Sequence, residues 1–263
     1  MTKADIVQLQ ENGEPKYVAT HAEAVEGLSK FIQKDYDARG REEKIYVSDS
    51  RGDNNLADGS EDRPYRTIQA AVNIIPLVSS TFFYIIIENG VYMEDVLVER
   101  VKSGTIEIRS TNYETVNASE ESTGVLVRSI SFIDCNTYCA VRGITQTDPQ
   151  NSRENIFINF SGCLYGAVES CRIVVNTKSV EGYKGIQWQS CVYGNIYNSL
   201  VSNQNIAFSV IFGGMARISY SANGTGNDVV NNVEGAIMFT SDSNTTTGDK
   251  IDVLSYGGQV FRG

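Results

Sequence analysis

The chain has 263 residues, 41% of them hydrophobic, and a formal net charge of −10. Such an acidic chain lacks the clustered Lys and Arg that nucleic acid or an anionic membrane surface requires, so we expect neither partner. No apolar run reaches the roughly 18 residues of a transmembrane helix, and the first residues lack the apolar centre of a signal peptide. His21 is the only histidine, and we predict neither a metal ion nor a cofactor.

Residues 1–40 are predicted to form a separate segment. The stretch DIVQLQENGEPKYVAT predicts a hairpin centred on Asn12-Gly13, a dipeptide suited to a type I′ turn. A helix should follow from Thr20, because Thr20 and Glu23 have the spacing of a capping box. The apolar stripe of this helix consists of Val25, Leu28, Phe31 and Ile32. A piece this small buries too little surface to be stable alone, which favours oligomerisation or docking to another protein.

The remainder, residues 41–263, is predicted to be all-β. A charged linker is expected over residues 34–44, followed by a strand, a polar loop and a short helix that begins near Thr67. Residues 81–110 should then form three strands, separated by Asn-Gly and Ser-Gly turns. The run YIIIENGVY is apolar enough for a strand that is buried on both faces.

A repeat organises the centre of the chain. Cys135, Cys163 and Cys191 lie at equal intervals, since 163 − 135 and 191 − 163 are both 28. Each is followed by a tyrosine two or three residues later: Tyr138, Tyr165 and Tyr193. A strand-rich repeat of this length predicts a solenoid with one coil per repeat, and a parallel β-helix is the expected fold. About eight coils are expected between residue 45 and the end.

The repeat also explains the cysteines. In a parallel β-helix the three residues would stack in the interior as an inward ladder, about 4.8 Å apart. Cysteine is small and readily buried, so core packing is preferred over ligand or nucleophile roles. The total of five is odd, and we predict that all five are free thiols.

Two segments resemble known families. The segment IYVSDSRGDNN…DGSEDRPYRTIQAAVNIIP…YIIIENGVYMEDVLV resembles the opening of pectin-lyase-like right-handed β-helix proteins. This resemblance implies that the helix at 67–75 caps the first coil. The opening DIVQLQENGEPKYVATHAEAVEGL resembles the N-termini of tail and baseplate proteins of phages that infect Gram-positive bacteria. The residues that carry it are Tyr17, Thr20, His21, Ala22, Ala24, Val25, Gly27 and Leu28.

The second resemblance implies a location and partners. In those proteins the segment anchors a fibre to the tail, so residues 1–40 are expected to hold this chain to other tail or baseplate proteins and to aid trimerisation. The anchoring residues would be Tyr17, His21, Val25, Leu28 and Phe31. The expected protein is a homotrimeric tail fibre, tailspike or receptor-binding protein, made in the host cytoplasm and located in the virion.

Three functions remain open at this stage. The first is a non-enzymatic adhesin that binds a host cell-wall glycan such as teichoic acid, through aromatic side chains on the solvent side. The candidates for that contact are Tyr183, Trp188, Tyr193 and Tyr197. The second is a polysaccharide depolymerase, and the third is a purely structural baseplate component.

A depolymerase would need two carboxylates close together. A search at the interval of the cysteine repeat pairs no acid with another: Glu169, for instance, aligns with Val141 and Tyr197. We therefore expect a binding or structural protein rather than an enzyme.

Overall fold

The computed structural model describes residues 9–11, 14–16, 40–218, 222–241 and 243–263. The chain divides into two units, residues 1–39 and 40–263, which are described separately. In the first unit, β1 (Leu9–Glu11) pairs antiparallel with β2 (Glu14–Lys16), with Glu11 opposite Glu14. This register leaves Asn12-Gly13 as the two connecting residues and confirms the predicted hairpin. The predicted helix from Thr20 lies outside the described residues.

The second unit is an all-β structure with mostly parallel sheets and very few helices in its described part. Its first strands are β3 (Glu42–Val47), β4 (Phe82–Ile87), β5 (Gly90–Glu99), β6 (Lys102–Ser110), β7 (Val125–Ile133), β8 (Asn136–Arg142), β9 (Thr145–Gln146), β10 (Ile156–Ser161), β11 (Tyr165–Glu169) and β12 (Arg172–Ile173). The later strands are β13 (Lys184–Gln189), β14 (Tyr193–Tyr197), β15 (Leu200–Val201), β16 (Ile206–Ile211), β17 (Met215–Ile218), β18 (Asn223–Glu234), β19 (Ile237–Thr240), β20 (Thr245–Ser255) and β21 (Gln259–Arg262). The helical elements are α1 (Ile68–Asn73) and a 3-10 turn (Pro149–Asn151).

Two large sheets contain these strands. The nine-stranded sheet has the order β3-β4-β6-β8-β11-β14-β17-β19-β21, and the ten-stranded sheet contains the other ten strands of the unit. In both sheets a strand pairs parallel with strands one repeat before and after it in the sequence. Adjacent strands lie about 4.8 Å apart, so the eight steps of the nine-stranded sheet span roughly 38 Å.

The predicted period holds for part of the chain. In the ten-stranded sheet Ile158 pairs with Ile130 and with Ile186, and both steps equal the cysteine interval. Ile186 then pairs with Phe208, which is a shorter step. The difference arises in one connection: residues 174–183 join β12 to β13, whereas only residues 202–205 join β15 to β16. The longer loop accounts for the greater length of the earlier repeat.

The cysteine ladder is confirmed. Cys135, Cys163 and Cys191 are all buried, and each precedes a strand of the nine-stranded sheet. The amide of Leu164 donates to the carbonyl of Cys135 at 3.0 Å, and the amide of Val192 donates to that of Cys163 at 3.0 Å. The cysteines therefore occupy equivalent positions in successive repeats, as the spacing predicted.

The short helix begins where it was predicted to begin. The hydroxyl of Thr67 accepts the amide of Ala70 at the N-cap, and α1 packs against β3, β4 and β5. The Glu94 carboxylate accepts the amides of Ile68 and Gln69 at 2.8 and 3.0 Å, which satisfies two donors of the first turn. Burial of Ile68, Ala71 and Val72 then covers the apolar interior beside the first strands.

Two boundary predictions are wrong. Residues 42–44 belong to β3 and not to a linker, because Lys44 and its neighbours pair with β4. The Ser103-Gly104 dipeptide is not a turn between strands. It lies within β6, at an irregularity in the pairing with β8, and Gly104 has a φ of 77°. The chain instead turns at Arg100, which has a φ of 60°.

Candidate functional site

The outer face of the nine-stranded sheet carries a row of tyrosines. Tyr165 pairs with both Tyr138 and Tyr193, so the three side chains project from the same position of successive strands. The ring centroids lie 4.9 Å apart between Tyr138 and Tyr165 and 5.4 Å apart between Tyr165 and Tyr193. The repeat of tyrosine after cysteine in the sequence thus forms a continuous row, in which the first two rings are stacked and the third is tilted by 34°. We call it the tyrosine row.

Stacking limits what the tyrosine row can bind. Rings this close cover each other's faces, so a planar or pyranose ligand has no room between them. The row ends at Tyr193, because the next strand of the sheet, β17, contains no aromatic residue. Tyr193 is the member of the row that lines an open pocket.

The pocket is open and has a volume of about 360 Å³. Its lining residues are Tyr193, Arg217, Phe239, Thr240, Ser241, Phe261, Arg262 and Gly263. The rings of Phe239 and Phe261 are stacked, with centroids 5.4 Å apart, and both remain partly exposed. Arg262 forms an ion pair with Asp252. This aromatic pocket combines ring surfaces, hydroxyls and guanidinium groups, which are the groups that contact sugars and their anionic substituents.

Beside the tyrosine row lies an arginine–glutamate cluster of Glu107, Arg109, Arg142 and Glu169. Arg142 contacts Glu169 through one terminal nitrogen and Glu107, at 3.3 Å, through the other. Arg109 lies 3.4 Å from Glu107. The cluster is neutral as a whole, and all four side chains are largely buried.

Burial and charge oppose each other in this cluster. Burial raises the pKa of Glu107, although Arg142 and Arg109 act in the opposite direction. Burial alone would lower the pKa of Arg142, but the two carboxylates raise it above its ordinary value. The hydroxyl of Tyr197 donates to Glu169 at 2.6 Å, and both burial and this bond raise the pKa of Tyr197. The cluster is therefore a continuous network of hydrogen bonds and ion pairs across neighbouring strands.

The structure corrects two of the predicted glycan contacts. Tyr183 and Trp188 are fully buried, so they do not face solvent as predicted. Trp188 stacks on Phe160 and its Nε1 donates to the carbonyl of Gly166 at 3.0 Å. The Tyr183 hydroxyl accepts from Gln146 at 3.2 Å, and burial raises its pKa to about 12. Both residues belong to the core.

Tyr193 and Tyr197 are half-buried on the outer face of the nine-stranded sheet, as a glycan contact would require. Tyr193 borders the aromatic pocket, whereas Tyr197 is bonded into the arginine–glutamate cluster. A glycan-binding role for either residue stays a prediction. The proposed anchoring residues Tyr17, His21, Val25, Leu28 and Phe31 lie outside the described residues.

The buried thiols offer one arrangement with metal-ligand geometry. The sulfur atoms of Cys135, Cys139 and Cys163 lie within 4.8 Å of one another. Metal binding would require thiolates, yet Cys163 lies 3.3 Å from the carbonyl of Phe132 and Cys135 lies 3.4 Å from that of Ile133, contacts that suit S–H donors. Burial also raises the pKa of Cys139 well above its ordinary value. Free cysteines that pack in the buried core account for this geometry.

A polar loop and a second opening complete the surface. In the loop after β3, Arg51 pairs with Glu88 and Arg63 with Asp58, so these charges are satisfied within the protein. Residues 114–119 and two turn residues, Ser170 and Asn198, line a polar opening of about 350 Å³.

No helix in the described part of the chain is both long and apolar enough to cross a membrane.

Comparisons with known proteins add little. No protein-family model matches the chain, and no curated protein matches it. Two matching chains are crystal structures of the GH136 lacto-N-biosidase from Eubacterium ramulus, in native and selenomethionine form. Each is 9% identical, covers 91% of this chain and 70% of its own, and has a TM-score of 0.21 or 0.20. Values this low carry no argument about function.

Sequence reasoning missed most of the outer-face residues. The search for paired acids at the cysteine interval aligned Glu169 with Val141. In the structure Glu169 pairs with Arg142, because the step from β8 to β11 is one residue shorter than the cysteine interval at this position. Arg217, Phe239 and Phe261 occupy one position of successive strands, at the shorter repeat of the later part of the chain. A search at that shorter repeat after Cys191 would have found this row.

Proposed function

We propose that residues 40–263 wind as a right-handed parallel β-helix and that the chain is a bacteriophage tail-fibre or receptor-binding protein. The parallel pairing of strands one repeat apart supports the helical winding. The resemblance of the N-terminal segment to tail and baseplate proteins supports the location. In this proposal the β-helix presents a binding face to a host cell-surface glycan, and the protein acts as a homotrimer.

The aromatic pocket is the observation that carries the binding proposal. Aromatic faces stack against the apolar faces of sugar rings, and here Tyr193, Phe239 and Phe261 border one open volume. Neighbouring residues in the tyrosine row, and in the row of Arg217, Phe239 and Phe261, lie one strand spacing apart, which is about 4.8 Å. This spacing is close to the length of one pyranose unit along a glycan. A polymeric glycan could therefore lie along the outer face with one end in the pocket.

The guanidinium groups at the pocket suit an anionic glycan, which would compete with Asp252 for Arg262. Arg217 and Arg262 both line it, and a guanidinium group recognises phosphate with paired hydrogen bonds. Teichoic acid carries phosphate in its backbone and fits this chemistry. Because phosphate contacts are screened by salt, the affinity should fall as ionic strength rises.

A binding experiment tests the proposal directly. Phe261→Ala removes an exposed ring from the pocket, and we expect it to weaken binding of purified teichoic acid by about tenfold, measured by isothermal titration calorimetry. Leu56→Ala is the control, because it removes an exposed apolar side chain that does not line the pocket and should leave binding unchanged. Equal losses in both variants would contradict the assignment of the pocket. Absence of binding by the native chain would favour a purely structural baseplate component.

Virion anchoring is tested separately. Deletion of residues 1–33 should leave residues 40–263 folded, since they form a unit of their own, and should prevent incorporation into phage particles. Val25→Asp with Leu28→Asp should do the same to a smaller extent. Normal incorporation of the truncated protein would overturn the anchoring role.

The arginine–glutamate cluster supports a second candidate, a depolymerase. Glu107 and Glu169 contact the two terminal nitrogens of the same guanidinium, so the two carboxylates lie close together, as a glycosidase requires. Burial raises the pKa of Glu107, as a general acid requires. Arg142 between the carboxylates argues against this role, since its charge acts to lower the pKa of Glu107. Release of reducing sugars from host polysaccharide, abolished by Glu107→Gln and Glu169→Gln, would establish it.

A further inference from the structure

Two interior positions of the large sheets carry charged residues in the last strands. In the ten-stranded sheet one such position is filled by Ile158, Ile186 and Phe208 in successive strands, and all three side chains are fully buried. The next two strands, β18 and β20, place Asn231 and Asp252 at this position. The sequence therefore departs from its own apolar repeat at these two strands.

Arg262 marks the same kind of departure in the nine-stranded sheet. The pairing leads from Ile196, which is fully buried, through Ile218 and Thr240 to Arg262. The guanidinium group of Arg262 pairs with the carboxylate of Asp252. Each sheet thus contributes one charged residue, and the two form an ion pair at positions where earlier strands carry apolar residues.

The two partners of this ion pair differ in their freedom to move. Asp252 has a side chain that is 22% exposed and accepts a hydrogen bond from Nδ2 of Asn231 at 2.8 Å. Asn231 is only 2% exposed, and its Oδ1 finds no donor among the described residues, so the bond to Asp252 orients this amide. Arg262 has a side chain that is 49% exposed, and it lines the aromatic pocket. A buried amide therefore holds the carboxylate, whereas the guanidinium can turn toward a ligand.

This arrangement weakens the pocket for small anions. A phosphate group that approaches Arg262 also meets the negative charge of Asp252, and like charges at this range repel, more strongly where water is partly excluded. A free anion has only polar contacts with which to offset that repulsion. An anion that is linked to a sugar gains, in addition, the contact of the sugar with the exposed rings of Phe239 and Phe261.

We propose that Asp252 is a specificity-determining residue of the aromatic pocket. It occupies Arg262 in the unbound protein, so that free anions bind poorly and an anion carried by a ring-bearing polymer displaces it. This inference rests on the proposed function, because it assumes that the pocket binds an anionic glycan. It adds the selection of polymer-linked phosphate over free phosphate.

Removal of one charge tests the role of Asp252. Asp252→Asn keeps an oxygen for the bond from Asn231, and we expect it to bind tripolyphosphate about tenfold more tightly than the native chain at low ionic strength, measured by isothermal titration calorimetry. Asp249→Asn is the matched control, because it makes the same charge change on the same strand, where the 76% exposed carboxylate lies 3.8 Å from Lys178. It should leave the affinity within about twofold of the native value. Equal affinities of Asp252→Asn and the native chain would overturn the inference, as would equal gains in the two variants.

Arg262→Gln shows whether Asp252 acts through Arg262. In this background Asp252→Asn should change the affinity for tripolyphosphate by less than about twofold, because the guanidinium that it releases is gone. Thermal melts of all variants would verify that they are folded. A tenfold gain that persists without Arg262 would mean that overall charge governs anion binding, and it would overturn the inference.

Teichoic acid separates this inference from the proposed function. The native chain should bind teichoic acid more tightly than tripolyphosphate, and Asp252→Asn should narrow that difference. Absence of teichoic acid binding, with the tripolyphosphate gain intact, would count against the glycan proposal alone. Binding of teichoic acid by the native chain, with no gain for tripolyphosphate in Asp252→Asn, would count against the role of Asp252 alone.

Discussion

Gly194→Ala is expected to destabilise the protein because an aromatic ring occupies the position of the missing side chain. A Cβ atom at Gly194 would lie 2.3 Å from both Cδ1 and Nε1 of Trp188. Ordinary carbon contacts begin near about 3.5 Å, so the ring would have to move by about 1 Å. Trp188 cannot move freely, since Phe160 stacks on it with centroids 6.3 Å apart.

The size of the effect follows from two contributions. Overpacking of a filled core costs about 1–3 kcal/mol. Displacement of the ring also weakens the bond from Trp188 to the carbonyl of Gly166, and an unsatisfied buried donor costs about 1–3 kcal/mol. We therefore expect Gly194→Ala to lower the free energy of unfolding by about 3–4 kcal/mol. Gly213→Ala is the control, because its Cβ would meet no atom within 4 Å and only the φ of 77° opposes it, which costs about 1 kcal/mol.

The assay can use the protein's own fluorophore. Trp188 is the only tryptophan, so the shift of its emission on exposure to water reports unfolding of the core. Urea titrations approached from the folded and unfolded sides would establish equilibrium, which matters because parallel sheets fold slowly. Circular dichroism would serve for variants that lack Trp188.

A double-mutant cycle decides whether the clash is the cause. Trp188→Leu alone should destabilise by about 2–3 kcal/mol through lost packing. If the methyl group added by Gly194→Ala collides with the indole ring, the double variant should be less destabilised than the sum of the two by at least about 1.5 kcal/mol. Additive effects, or a loss below about 1 kcal/mol in Gly194→Ala, would refute the reasoning.

Three further predictions concern thiols and charges. Thiol titration should find five reactive groups in denaturant and almost none in the native state, where burial raises the pKa of two of them to about 12; fewer than five in denaturant would indicate a disulfide. Arg142→Met should destabilise by about 3–5 kcal/mol in urea titrations, because Glu107 and Glu169 lose their shared partner, and a loss below about 1 kcal/mol would contradict this. Burial would raise the pKa of Asp95, but bonds from Arg128 and Ser129 lower it below 3.8 in the folded state. The native chain should therefore exceed Asp95→Asn in stability by about 1–2 kcal/mol near pH 7, and this advantage should vanish as the pH falls below 3.8 through the folded pKa; a constant difference in a pH series of thermal melts would contradict it.

Local sequence signals predicted the architecture well where one repeat resembles the next. Equal spacing of Cys135, Cys163 and Cys191 predicted an inward ladder, because residues that recur once per repeat stack at one position of a parallel sheet. The N-cap of α1 and the Asn12-Gly13 hairpin were also predictable, since both depend on residues a few positions apart. Burial of Trp188 was not predictable in this way. Its environment depends on Gly194, whose missing side chain makes room for the ring.

The sequence by itself determined the all-β class, the parallel repeat and the buried thiols, because each depends on periodicity or composition along the chain. Only the tertiary structure decided which side chains meet on the outer face. Glu107, Arg142 and Glu169 come from three different strands, and a change of one residue in a connecting loop would separate them. The aromatic pocket likewise depends on loop lengths that shorten the repeat after β13. The length of each loop decides which residues of successive strands pair with each other, and this register cannot be read from the sequence of one strand alone.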